Sequence, residues 1–213
     1  MNLSIEFSKP EIKNAFDWQL TQEINVKNDD NQVIAKAELD IITLNKHRGA
    51  DESYELLAQA GPTDWEVPLN VYFKKQNIAA DLAEELKVKI DTKAKNHILL
   101  EAISVLPDYR QQGVAKFLLS EIAQHYAKAQ SISVLSMPMH LFVDADDCEI
   151  EENKAYYQAL NLTSSDNNQE DLSSFFKQSG FIKVAIDDSA LDEPLPFNIF
   201  VASPTTVNQP LAD

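Results

Sequence analysis

Apolar and polar residues alternate from Phe16 to Val26 and again from Val33 to Leu44, which predicts two strands. Lys27-Asn28-Asp29-Asp30-Asn31 between them is a polar, turn-forming cluster, so the pair reads as a β-hairpin. Ala50 to Ala60 reads as a short helix closed by Gly61-Pro62. A second helix is expected over Ile78 to Val88, with Ile78, Leu82, Ala83 and Leu86 on one face. His97 to Val105 (H-I-L-L-E-A-I-S-V) is nearly continuously apolar, the pattern of a central strand covered on both faces. Pro107 carries no N–H and ends it. From Ala115 the period changes. Ala115, Leu118, Leu119, Ile122 and Tyr126 form an amphipathic stripe, with Glu121, Gln124 and Lys128 outside it.

Ser131 to Met137 reads as the next strand, and Asp144 to Glu152 as an acidic loop. Lys154 to Leu160 and Asp171 to Gln178 read as helical pieces around a polar insertion, Thr163 to Gln169. Gly180 is placed as a C-cap. Phe181 to Ile186 and Asn198 to Ala202 read as closing strands, and the tail after Ser203 as frayed. The order strand, helix, strand, helix, strand predicts a mixed α/β domain with a crossover pair at its heart. One domain over residues 1–203, followed by a flexible tail at 204–213, is the expected organisation.

Charge narrows the classes of partner. Lys plus Arg is 18 and Asp plus Glu is 34, a formal net charge of −16. A nucleic acid partner is not expected, because its backbone needs a basic footprint. The acidity reads either as a solubilising surface or as attraction for a cationic amine. No apolar run approaches the roughly 20 residues needed to span a bilayer, so no membrane partner is expected. The start, Met1-Asn2-Leu3-Ser4-Ile5-Glu6, lacks the pattern of a signal peptide. Cys148 is the single cysteine, which suits a reducing cytoplasm. His47, His97, His125 and His140 show no paired metal spacing, and Asp144-Ala145-Asp146-Asp147 lacks the glycine and the final Glu of a calcium loop, so no metal is expected. Trp18 and Trp65 read as packing residues.

The most specific stretch is V-L-P-D-Y-R-Q-Q-G-V-A, Val105 to Ala115. It joins an apolar strand to a helix start, where unpaired N–H groups and about half a positive charge favour phosphate. Gly113, one of only four glycines, sits at the turn, where a missing Cβ allows close approach of a ligand. The stretch is neither a Walker A loop nor a dinucleotide fingerprint. Its V-x-P-x-x-R-x-x-G-x-A pattern resembles motif A of the GNAT acyl-CoA N-acyltransferases, with Arg110, Gly113 and Ala115 at the R/Q-x-x-G-x-G/A positions. Phe175-Phe176-Lys177-Gln178-Ser179-Gly180-Phe181 resembles that family's late helix ending in Gly-Phe. The resemblance covers about residues 97–181 and is weak before them. The early hairpin departs from the commonest family order.

The resemblance implies the GNAT fold, a mixed splayed central sheet flanked by helices, and transfer of an acetyl group from acetyl-CoA to an amine of a small molecule or protein. The pantetheine would pair with backbone near Ile103 and Val105. The pyrophosphate would meet the amides of Gln111, Gln112, Gly113, Val114 and Ala115, with Lys116 or Arg110 adding charge. Family members are often dimers, so a homodimer stays open. An amine attacks a thioester only as the free base, and a carboxylate nearby takes its proton. Glu101 interrupts the apolar strand four residues before Val105, on the same face by period two, and is the candidate base. The alternative is a sheet-face Glu partnered by Lys or Arg. Where the family usually places a tyrosine as general acid, this chain has Phe176. Either the thiolate leaves with little help, or Tyr157 or Tyr156 serves, or the chain is an acyl-CoA-binding or protein-interaction module without turnover.

Overall fold

A computed structural model describes residues 2–88, 95–141, 151–162, 169–185 and 195–208 of the 213-residue chain. Most of the expected acidic loop, Cys148 and most of the polar insertion lie outside the described residues; the last two residues expected in that loop, Glu151 and Glu152, instead begin a helix. The chain opens with two short strands, β1 (Ser4–Phe7) and β2 (Glu11–Lys13), and then the predicted hairpin, β3 (Phe16–Lys27) and β4 (Val33–Leu44). Helix α1 (Ala50–Ala60) has the predicted bounds, and α2 (Glu66–Val71) follows it. Next come a two-stranded hairpin, β5 (Phe73–Lys74) and β6 (Asn77–Ile78), and a short helix, α3 (Ala80–Glu85). The helix expected from Ile78 is thus cut short, because Ile78 pairs with Phe73 instead. The central strand β7 (Lys95–Val105) leads through a 3-10 turn (Pro107–Tyr109) into α4 (Val114–His125). Then follow β8 (Ser131–Ser136), α5 (Glu151–Ala159), α6 (Gln169–Gln178), β9 (Ile182–Lys183) and β10 (Asn198–Ala202).

Eight strands form one mixed sheet. Its path runs β1-β3-β4-β7-β8-β10-β9, with β2 paired to β3. Among the described residues only β7 and β8 pair in parallel, as a strand–helix–strand crossover requires. One face carries a core of Ile24, Val26, Ala37, Leu39, Ile98 and Leu100 against Leu118, Leu119 and Ile122 of α4 and Phe176 of α6. The other face carries a second core, with Ile42, Leu44 and Leu99 packed against Trp65, Leu69 and Leu86. Burying β7 on both faces accounts for its unbroken apolar run.

Two expectations near the C-terminus need correction. The strand expected over Phe181 to Ile186 is only Ile182–Lys183 among the described residues. Residues 203–208 are docked, not frayed. Val207 is buried in the first core, and Asn208 donates from its backbone N–H to Ser179 O (2.8 Å) and from its side chain to Lys116 O (2.7 Å). This turn crosses the end of α6 at Gly180. That residue is left-handed (φ +87), and a Cβ there would stand 2.0 Å from Thr206 O. Phe181 N–H closes the helix onto Phe176 O, so Gly180 is required both as a cap and for space.

Candidate functional site

The site begins with an irregularity in β7. Its register with β4 runs Glu38 to Ala102 and then Leu39 to Leu100, leaving Glu101 as an extra residue. A bulge of this kind bends the strand and raises its twist. Parallel pairing with β8 ends at the same place, with Leu100 opposite Val134. Beyond it, among the described residues, β8 pairs only with β10. Residues 102–105 therefore keep β4 on one side and, among the described residues, have no ladder partner on the other. The sheet splays open there, as the motif predicts.

A cavity of about 490 Å³ occupies the splay. Of the residues proposed for the cofactor, Ile103, Val105, Arg110, Gln111, Gly113, Val114, Ala115 and Lys116 line it. Gln112 does not, because its side chain folds back to donate to Asp108 O (2.6 Å). The turn is built from two left-handed residues, Gln111 (φ 59) and Gly113 (φ 83). A Cβ on Gly113 would meet nothing within 4 Å, so the glycine faces open space. The first hydrogen bond of α4 runs from Phe117 N–H to Gly113 O (2.9 Å). The N–H groups of Val114, Ala115 and Lys116 consequently have no acceptor within the helix, and the helix end offers them to an anion.

Arg110 lines the cavity but holds its walls together. Its Nε donates to Val105 O (3.1 Å) and its Nη2 to Leu160 O (2.8 Å). It ties the free end of β7 to the end of α5, and it occupies the Val105 carbonyl that the resemblance assigns to pantetheine. The sequence does not disclose the far wall, Leu160, Leu162, Leu172 and Phe175. These apolar residues read equally well as ordinary helix faces.

Glu101 lies elsewhere than period-two counting placed it. On β7 the first core takes Ile98 and Leu100 before the bulge, and Ile103 and Val105 pack against it after. The alternation changes phase at Glu101, so Glu101 and Val105 lie on opposite faces of the sheet. Glu101 is instead on the face of β4 that carries Asp40 and Ile42. There Lys13 Nζ donates to Glu101 Oε1 (2.7 Å) and Asp40 Oδ2 (2.8 Å), and Gln19 Nε2 donates to the same Asp40 oxygen (2.8 Å). The lysine partner weighed from the sequence is therefore present, delivered by β2.

Two carboxylates and one ammonium leave this cluster a net negative charge, which favours proton retention. Burial raises the Glu101 carboxyl above its ordinary range and outweighs the lowering by Lys13. Burial opposes the Lys13 charge, but its contacts with Asp40 and Glu101 outweigh that and raise its pKa. The sequence signal for this cluster was Asp40, a carboxylate inside an apolar strand that needs a cation. Sequence alone cannot select Lys13 among 18 basic residues.

The aromatic candidates divide. Phe176 is 2% exposed and its ring contacts Phe175, Phe181 and Phe200, so it is a core residue. Tyr157 Oη donates to Glu38 Oε1 (2.9 Å) on the Lys13 face of β4. Tyr156 is buried, with its Oη 3.0 Å from Ser104 Oγ, and burial pushes its phenol up to about 12. Ser104 itself lines the cavity, so Tyr156 reaches the splay through one hydroxyl. His97 lies away from the cavity, fully buried on Ser131 Oγ (2.9 Å), and burial pushes it down to about 3. Among the described residues no group of His, Cys, Asp and Glu is arranged to hold a metal ion, and no helix is long and apolar enough to cross a membrane.

Residues 72–145 match the model of the acetyltransferase (GNAT) family. A comparison with curated proteins finds no match. Similar solved structures include a bacterial toxin (8% identity, 88% of this chain and 68% of that chain, TM-score 0.41). Arabidopsis thaliana NAA60 in complex with acetyl-CoA is another (12%, 84% and 73%, TM-score 0.37). A Drosophila melanogaster polyamine N-acetyltransferase is a third (14%, 85% and 74%, TM-score 0.36).

Proposed function

Since residues 72–145 match the model of the acetyltransferase (GNAT) family, we propose that the protein moves the acetyl group of acetyl-CoA to an amine by direct attack. The observation that supports this reading is the splay beside β7, whose cavity is lined by Gln111 and by Gly113 to Lys116 of the turn. In this reading the N–H groups of Val114, Ala115 and Lys116 take the pyrophosphate. The unladdered edge at Ile103 pairs with the pantetheine, and Arg110 braces the two walls.

Glu101 receives the proton of the attacking amine, directly or through water. Its burial keeps it a better base than an exposed carboxylate. The amine nitrogen bonds to the thioester carbon, the carbon–sulfur bond breaks, and CoA leaves as thiolate. In this reading Tyr156, through Ser104, or Tyr157, from Glu38, returns a proton to the thiolate. A thiol pKa near 8.5 makes that help dispensable. The acceptor is read as a cationic amine of a small molecule or protein, and the compartment as cytoplasmic, in keeping with the single Cys148.

The buried Phe176 favours one second reading, an acyl-CoA-binding module without turnover. CoA release from acetyl-CoA with a panel of amines separates the two. Turnover eliminates the module, and saturable binding without release supports it. With an accepted amine, Glu101→Gln is expected to lower kcat/KM by about 10²-fold near neutral pH. The loss should shrink as pH rises and the amine deprotonates unaided. An unaltered pH profile removes Glu101 from the role of base.

A further inference from the structure

Lys13 is a primary alkylammonium held on the carboxylate that the proposed chemistry uses. Its Nζ stands 2.7 Å from Glu101 Oε1 and 2.8 Å from Asp40 Oδ2. Asp40 is 1% exposed, yet its second oxygen, Oδ1, is buried without a hydrogen-bond partner among the described residues. An unsatisfied buried carboxylate oxygen is costly. Two carboxylate oxygens, Glu101 Oε1 and Asp40 Oδ2, thus receive a group that carries three N–H donors, and the cluster retains a net negative charge with Lys13 in place.

The lysine arrives on a weakly anchored element. Strand β2 has three residues at the edge of the sheet, with a register shift between Ile12 and Lys13. It ends in two left-handed residues, Asn14 (φ 53) and Ala15 (φ 61). Lys13 keeps a third of its side chain exposed, while Asp40 is sealed beneath it. Lys13 thus covers Asp40, while Glu101 keeps 19% of its side chain exposed beside it.

Resting on the reading of Glu101 as the acceptor's base, we propose that Asp40 and Glu101 form a primary alkylammonium site. The chain's own Lys13 fills this site as a tethered surrogate, and the acceptor amine takes its place. The acceptor class is then a primary aliphatic amine on an unbranched stem, as in lysine or a linear alkylamine.

Lys13→Ala removes the atoms of one propylammonium, which makes propylammonium the probe. Titrated by calorimetry into the folded variant without acetyl-CoA, it should bind saturably and at least tenfold tighter than to the unaltered protein. Adding Asp40→Asn should weaken it at least tenfold again. No binding to folded Lys13→Ala, or binding indifferent to Asp40→Asn, overturns the site. A purely structural lysine is distinguished by kinetics. Lys13→Met, which keeps the apolar stem and drops the charge, should lower KM for linear primary amines at least threefold. A raised or unchanged KM overturns the surrogate role. Failure of acetyl-CoA to bind would refute the proposed transfer, while the calorimetric arm decides the ammonium site by itself.

Discussion

The two halves of β7 are built for different ends. From His97 to Leu100 the strand is laddered on both sides and every side chain is buried. From Ala102 to Val105 it is laddered to β4, mostly half-exposed, and Ile103, Ser104 and Val105 line the cavity. One extra residue at Glu101 separates the halves. A fully paired strand has no backbone left to offer a ligand. A bulge that bends β7 away from β8 releases backbone groups while the upstream ladder holds the strand fixed. The paired half supplies rigidity and the splayed half supplies the site.

Truncation in each half sharpens the contrast. Leu100→Ala, at 1% exposure, should cost about 3 kcal/mol in denaturant unfolding and leave acetyl-CoA affinity of the folded protein within twofold. Ile103→Ala, half-buried on the cavity wall, should cost only about 1 kcal/mol but weaken acetyl-CoA several-fold. Equal stability losses would erase the distinction.

Acid tests the paired half next. His97 is pushed down to about 3 by burial, so the unfolded chain takes up a proton near pH 6.5 that the folded chain refuses. Its contribution to stability is present above pH 6.5 and is lost as pH falls toward 3. Between pH 6.5 and 4.5 the loss is about 2 kcal/mol. His97→Asn should flatten the stability profile by that amount, and a slope unchanged in the variant would show that His97 is not held neutral. The smallest effect is expected from Gln112→Ala. Its side chain turns away from the cavity, so acetyl-CoA affinity should stay within twofold. A tenfold loss would mean that the turn reads ligand with side chains as well as backbone.

Elements bounded by clear polar or Gly-Pro punctuation were legible in the sequence. The hairpin strands and α1 emerged with nearly their observed ends, because each has one clean period and polar punctuation. The turn at Gly113 was legible because glycine, strand end and helix start coincide there. The phase change at Glu101 was not. Both neighbours of the bulge lie in a run whose two faces are buried, so apolar residues occur whatever the phase, and counting by two carried Glu101 to the wrong face. Lys13 was hidden because β2 is three residues long and its pairing partner lies across the sheet from Glu101. The docked turn at 203–208 depends on a close approach to Gly180 that no local pattern records.

Titration of acetyl-CoA into the protein and into Gly113→Glu tests the central claim most directly. The variant places a carboxylate in open space at the mouth of the α4 cradle and adds about 1–2 kcal/mol of left-handed strain, which circular dichroism should show the fold to survive. The account predicts saturable binding to the unaltered protein and at least a hundredfold loss in Gly113→Glu. Equal affinity in both, with the variant folded, would contradict the assignment of the splay as the acetyl-CoA site.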